Sequence, residues 1–144
     1  MLRWIAAKCI APKVKFSFDN DDSSYYNSGT DSINISIEDA EDSEDFLAHV
    51  RQFHGFRETQ LAQPFVWVML HEIGHYYTFV EDDEEDGLRM VILNTAFEVD
   101  EADRRIAYYN LSNEWEATEW AINYIKKHRI FVKILNWLVA RPQH

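Results

Sequence analysis

Residues 32–37 read Ser-Ile-Asn-Ile-Ser-Ile, and this unbroken alternation of polar and apolar side chains has the period of a β-strand. Val14-Lys15-Phe16-Ser17-Phe18 alternates in the same way, Tyr25-Tyr26 supplies a further β-prone pair, and Ser28-Gly29 offers a turn. These segments predict a small antiparallel sheet. Elsewhere the apolar positions recur at helical spacing. A short helix over 2–10 is stopped by Pro12, and Asp42 or Ser43 can cap a helix that runs to Phe53 and ends at Gly55. Phe46, Leu47, Val50 and Phe53 share its inner face. Gln63-Pro64 opens a longer helix to about Val80, since proline suits a first helical turn. Residues 88–108 read as helical with a break near Val99-Asp100. Ser112 or Asn113 begins a helix that ends near Lys126-Lys127-His128-Arg129, where cations suit the C-terminus, and Ile130 to Ala140 forms the last.

The expected fold is therefore α+β, a small antiparallel sheet packed on a helix bundle, in one domain spanning residues 1–144. Hydrophobic content of 47% with 15% aromatics supports a core rich in large side chains. Ile130–Val139 is apolar almost all round but far short of the roughly 20 residues of a membrane span. Core packing is its first destination, and a dimer or docking contact the second. The single cysteine, Cys9, cannot form an internal disulfide, and Lys8 and Pro12 interrupt the apolar stretch at Trp4–Ile10, which is poor for a signal peptide. A reducing, cytoplasmic setting is expected, with no membrane partner.

Net charge is −11, and all 25 acidic residues lie between Asp19 and Glu119, leaving basic ends around an acidic centre. Such a field opposes direct binding to nucleic acid and accepts a basic or neutral protein more readily. The run Glu81-Asp82-Asp83-Glu84-Glu85-Asp86 reads as a solvated loop, or as a weak cation site or repulsive gate.

The densest chemistry sits inside the long apolar helix, at His71-Glu72-Ile73-Gly74-His75. Residues four apart share a helix face, so His71 and His75 can hold one zinc ion while Glu72 reaches a water beside it as general base. Gly74 costs about 1 kcal/mol relative to Ala in a helix. Close approach of another backbone or of substrate is one reason to keep it; a neutral local accident is the other reading. A catalytic zinc site needs a third protein ligand. Glu114, near the start of a later helix with the small Ala117 one turn on, is the best candidate; Glu98 and Glu101 are its rivals.

The pair His-Glu-x-x-His and Asn113-Glu114-Trp115-Glu116-Ala117-Thr118-Glu119-Trp120-Ala121 resembles the ImmA/IrrE-type metallopeptidases, where Glu-x-x-Ala-Asn-x-Phe-Ala or a variant follows the histidine helix. The thermolysin-like glutamate zincins, with Asn-Glu-x-x-Ser-Asp, point to the same Glu114. The resemblance covers about 40 residues directly and implies a minimal zincin-like domain with an edge strand before the motif helix, here 32–37. It also implies peptide hydrolysis at zinc, with a repressor-type protein of a phage or mobile element as substrate. Thr118 departs from the pattern where the family has Asn or Asp, so a contact that orients a ligand is expected to be weaker or to come from elsewhere. An extended substrate would pair with strand 32–37.

Tyr76, Tyr77, Tyr108, Tyr109 and Tyr124 either pack or lend one hydroxyl to an oxyanion. Glu116 and Glu119 read as solvated, and His49, His54, His128 and His144 lack any partner spacing. Two other functions compete with the peptidase. One is a non-catalytic anti-repressor with a structural zinc, which would have no use for the base Glu72; the other is a zinc hydrolase acting on a non-peptide amide, which needs a small closed pocket. Oligomeric state is left open by the sequence.

Overall fold

The computed structural model describes residues 2–20, 23–80 and 100–140. The elements run α1 (Leu2–Ile10), β1 (Lys15–Asp19), β2 (Tyr25–Asn27), β3 (Ser32–Ser36), α2 (Ile37–Glu41), α3 (Glu44–Phe53), a 3-10 turn (Thr59–Leu61), α4 (Pro64–Thr78), α5 (Glu101–Tyr109), α6 (Ser112–Lys127) and α7 (Arg129–Ala140). The architecture is α+β, with helices in the majority and a small three-stranded sheet among the described residues.

The sheet is mixed rather than antiparallel. Its order is β1-β3-β2, with β1 parallel to β3 and β2 antiparallel to it. The β2–β3 hairpin turns through Asp31, at φ 46, a left-handed conformation that Asp tolerates better than most residues. Strand β3 is therefore central and not an edge, because both of its hydrogen-bonding sides are occupied. Its polar positions are buried as well. Asn34 accepts from Ser17 Oγ at 2.8 Å and donates to Asp19 Oδ1 at 3.0 Å, which removes the cost of enclosing an amide. The strand stops at Ser36 rather than Ile37, since the Ser36 hydroxyl caps α2 by accepting from Asp39 N at 3.3 Å.

Helix α4 forms the centre of the core. Trp67, Met69, Leu70 and Ile73 are fully enclosed, each worth about 1.5–3 kcal/mol of burial. The buried Trp67 indole donates to Thr59 O at 2.7 Å, tying the 3-10 turn to the helix. Gly74 faces the backbone of α6: a Cβ placed there would lie 2.5 Å from Ala117 O. Close backbone approach is thus the reason for the glycine, with Ala117 its small counterpart across the interface.

On α3, Phe46, Leu47 and Val50 are buried as the pattern predicts, while Phe53 is exposed. Gly55, at φ 69, ends that helix in the left-handed form. Helix α7 buries Val132, Leu135 and Val139 against the core and exposes Ile130 and Ile134. No helix among the described residues is long and apolar enough to cross a membrane. The acidic run 81–86, the helical expectation for 88–99, Glu98 and His144 lie outside the described residues.

Candidate metal centre

The α4–α6 contact brings three ligand-type side chains together. His71 Nε2 lies 2.8 Å from Glu114 Oε2, and His75 Nε2 lies 3.2 Å from Glu114 Oε1. One ligand atom from each of the three residues falls within 4.8 Å of the others. Donors about 2.0–2.1 Å from one tetrahedral zinc lie roughly 3.3 Å from each other, close to the 2.8 and 3.2 Å separations of these pairs. Glu101 takes no part: it is exposed and pairs with Arg105 at 3.2 Å, one turn along α5.

Thr118 sets the state of His71. Its hydroxyl donates to Glu114 O at 3.0 Å, a bond back along α6, and therefore accepts from His71 Nδ1–H at 3.1 Å. With Nδ1 protonated, the Nε2 lone pair faces a carboxylate oxygen. The 2.8 Å contact between Nε2 and the carboxylate oxygen can be bridged by a proton on Nε2 or by a metal ion between the two. Thr118 thus contacts the His71 ring, a candidate ligand, where the replacement of Asn or Asp led to the expectation of a contact that is weaker or comes from elsewhere.

Electrostatics follow from burial and pairing. Burial alone would raise the Glu114 carboxyl, but hydrogen bonds and charge from His71 and His75 outweigh it and hold the group well below the ordinary carboxylate range. For His75, burial favours the neutral ring, yet the bond and charge of Glu114 prevail and raise its pKa. Glu72 differs: burial pushes its carboxyl up against the pull of both histidines.

Glu72 lines a cleft of about 270 Å³ together with His71 and Glu114. Ser24, Asp39, Asp42, Ser43, Tyr108 and Tyr109 also line it. Of the five candidate tyrosines, Tyr108 reaches the cluster, donating to Glu114 Oε1 at 2.9 Å. Tyr77 instead bonds Ile10 O at 2.7 Å, while Tyr76 packs edge-on to Tyr26 and Tyr124 stacks on Trp120.

Other polar side chains were misjudged from sequence. Glu119 is not merely solvated but lies 2.9 Å from His54 Nδ1. His49 is 4% exposed, and His54 stacks on Trp115 with ring centres 3.7 Å apart. No spacing rule reports such contacts between helices distant in sequence. His128 rests against Tyr124 at 4.5 Å and Glu116 is exposed, as a solvated helix residue should be. Comparison with family models, curated proteins and solved structures finds no match to this chain.

Proposed function

We propose that this protein is a zinc-dependent metallopeptidase of minimal zincin-like architecture, with His71, His75 and Glu114 as ligands and Glu72 as general base. The observation that carries the reading is the pairing of two imidazole nitrogens with one carboxylate across α4 and α6, in a geometry that could hold a cation, beside a buried glutamate that none of these three residues needs. A purely structural site has no use for Glu72. Bound zinc would lower the pKa of a coordinated water toward neutrality and polarise a peptide carbonyl.

This chain's residues then divide the work. Glu72 accepts the proton of the attacking water and delivers it to the leaving amine; its raised pKa suits both steps. Tyr108, kept protonated by burial and by Glu114, can turn its hydroxyl to the oxygen that gains charge. Since β3 is central, it cannot take a substrate strand. The β2 side of the sheet is the alternative, because Ser23 and Ser24, leading into β2, line the cleft. A repressor-type regulatory protein, in a cytoplasmic setting, is the substrate the family resemblance suggests.

Glu72→Gln tests the reading. The amide keeps the shape and leaves the ligands intact, so zinc content should stay near one per chain while proteolysis of the cognate repressor falls by at least about 10²-fold. If wild type and Glu72→Gln relieve repression equally in cells and both bind the repressor, the protein is an anti-repressor and not a peptidase.

A further inference from the structure

The cleft beside the metal cluster holds more negative charge than hydrolysis uses. Asp39, Asp42, Glu72 and Glu114 all line it, and no lysine or arginine does so among the described residues. The roles of ligand and general base account for Glu114 and Glu72 and leave the two aspartates without a part. Carboxylates that share a cleft repel one another, and the charge of Asp39 is among those that disfavour ionised Glu72. The cations of α3 and α5 do not relieve this, because Arg51 is paired with Glu44 at 2.6 Å, and Arg105 with Glu101 at 3.2 Å and with Asp45. Glu72 itself is 7% exposed and accepts no hydrogen bond among the described residues, so a buried carboxylate borders the cleft unmatched.

Helix α2 sets the two spare carboxylates in place. Asp39 lies in its first turn and Asp42 directly after its last residue. Asp39 Oδ2 accepts from Ser24 N, while Ser24 Oγ accepts from Ser36 N at 2.8 Å, which pins this side chain between α2 and the segment entering β2. Asp39 Oδ1 and the exposed Asp42 carboxylate are left without a hydrogen bond or ion pair among the described residues. A bare metal ion does not fit this pair. The ligand atoms that converge within 4.8 Å, among the described residues, are those of His71, His75 and Glu114, and neither aspartate joins such a cluster. Carboxylates spread along a cleft suit a cation with several separated donors, a guanidinium, or an ammonium at the tip of a flexible stem. Zinc would offset the charge of Glu114 and Glu72, and the aspartates would keep the cleft negative.

We propose that Asp39 and Asp42 form a recognition site for an arginine or lysine side chain, and so select peptide segments with a basic residue beside the cleaved bond. The assignment to a substrate rests on the peptidase reading; the affinity for a cationic side chain does not. Because the aspartates line the same cleft as Glu72, and an extended chain advances about 3.3–3.6 Å per residue, the residue they read is a near neighbour of that bond.

Calorimetric titration of the protein in zinc-containing buffer with N-acetyl-arginine amide and with N-acetyl-citrulline amide, its uncharged isostere, tests the site without a substrate. The arginine amide should bind at least about tenfold more tightly, as a charge-assisted hydrogen bond to a carboxylate allows. Asp42→Asn should remove most of that preference and Asp39→Asn part of it; asparagine at position 39 keeps an oxygen for Ser24 N–H. Glu38→Gln removes the same charge from the same helix outside the cleft and should leave the preference intact. Circular dichroism and zinc content confirm that each variant is folded. Equal affinity for the two amides, no binding of the arginine amide, a preference that survives both aspartate variants, or one lost equally in Glu38→Gln would overturn the proposal. Incubation with peptides from a glutamate-specific digest of a proteome, with new termini read by mass spectrometry, separates the two readings. Sites cut by wild type should be enriched in arginine or lysine at one flanking position, and Asp42→Asn should lose the enrichment. If binding of the arginine amide follows Asp42 while every peptide stays intact, the cation site stands and the peptidase reading falls. If peptides are cleaved without regard to basic residues and the arginine amide does not bind, the cation site falls and the peptidase stands.

Discussion

Thr118 matters more to the proposed metal site than its modest side chain suggests, because one hydroxyl meets both the His71 ring and the backbone of the helix carrying Glu114. Thr118→Val keeps the volume and removes only this relay. We expect zinc affinity to fall about tenfold, the lower end of what loss of an orienting partner costs, as measured by competition with a chromogenic chelator. Unchanged affinity would mean that His71 is oriented without Thr118. Glu114→Ala should weaken zinc binding more than Thr118→Val does, and Glu101→Ala should leave it unaltered, since Glu101 points to Arg105 and solvent. Residues of the His-Glu-x-x-His segment were legible in sequence because helix geometry converts a spacing of four into a shared face. Thr118 was legible only as a departure from a pattern. That a hydroxyl of one helix meets an imidazole of another depends on interhelical distance, which local spacing does not encode.

Among the elements, the α4–α6 contact is the one on which the site depends. Gly74→Ala separates two opposed effects. In an isolated helix the change gains about 1 kcal/mol, whereas here the added methyl would meet Ala117 O at 2.5 Å, and backbone cannot move aside as a flexible side chain would. The clash should win. We expect a net loss of about 1–3 kcal/mol in chemical denaturation. Zinc affinity should fall with it, because forcing the helices apart draws Glu114 away from both histidines. A stabilised variant with full zinc binding would show that the helices can separate freely. Helix positions were readable from the sequence because burial of one stripe leaves a 3.6-residue signature, as on α3. The sheet was less so. Alternation in residues 14–18 and 32–37 reveals strands but not partners, and a parallel β1–β3 pair spans an intervening strand that no local pattern specifies. Buried hydrogen bonds of Asn34 also give a central strand the polar–apolar rhythm of a half-exposed one.

At the scale of the whole molecule, buried groups share the pH dependence of stability. In metal-free protein, the raised pKa of His75 contributes stability that is present below its ordinary value of 6.5 and is lost as pH rises through the folded value. His49 acts in the opposite sense. Burial and His54 push it from 6.5 to about 4, so between these values the unfolded chain binds a proton that the folded chain refuses, and stability falls as pH drops. Glu114, held below its ordinary 4.5 by the two histidines despite burial, contributes above that value and loses its contribution as pH falls further. Glu72, raised by burial, opposes these last two, because its contribution is present below 4.5 and is lost as pH rises. Urea unfolding with chelator present should therefore show a decline in stability as pH rises above 6.5, where His75 and Glu72 act in the same direction. Zinc should remove the alkaline decline, because a ligating His75 must be neutral and bound metal stabilises the folded chain by mass action. His49→Leu should flatten the limb between pH 6.5 and 4 by roughly 1–3 kcal/mol and leave the lower limb unchanged. It should also raise stability at neutral pH, since an apolar side chain replaces a buried ring whose nitrogens go unmatched. A variant that is less stable at neutral pH and keeps the wild-type acid limb would place the responsible proton elsewhere.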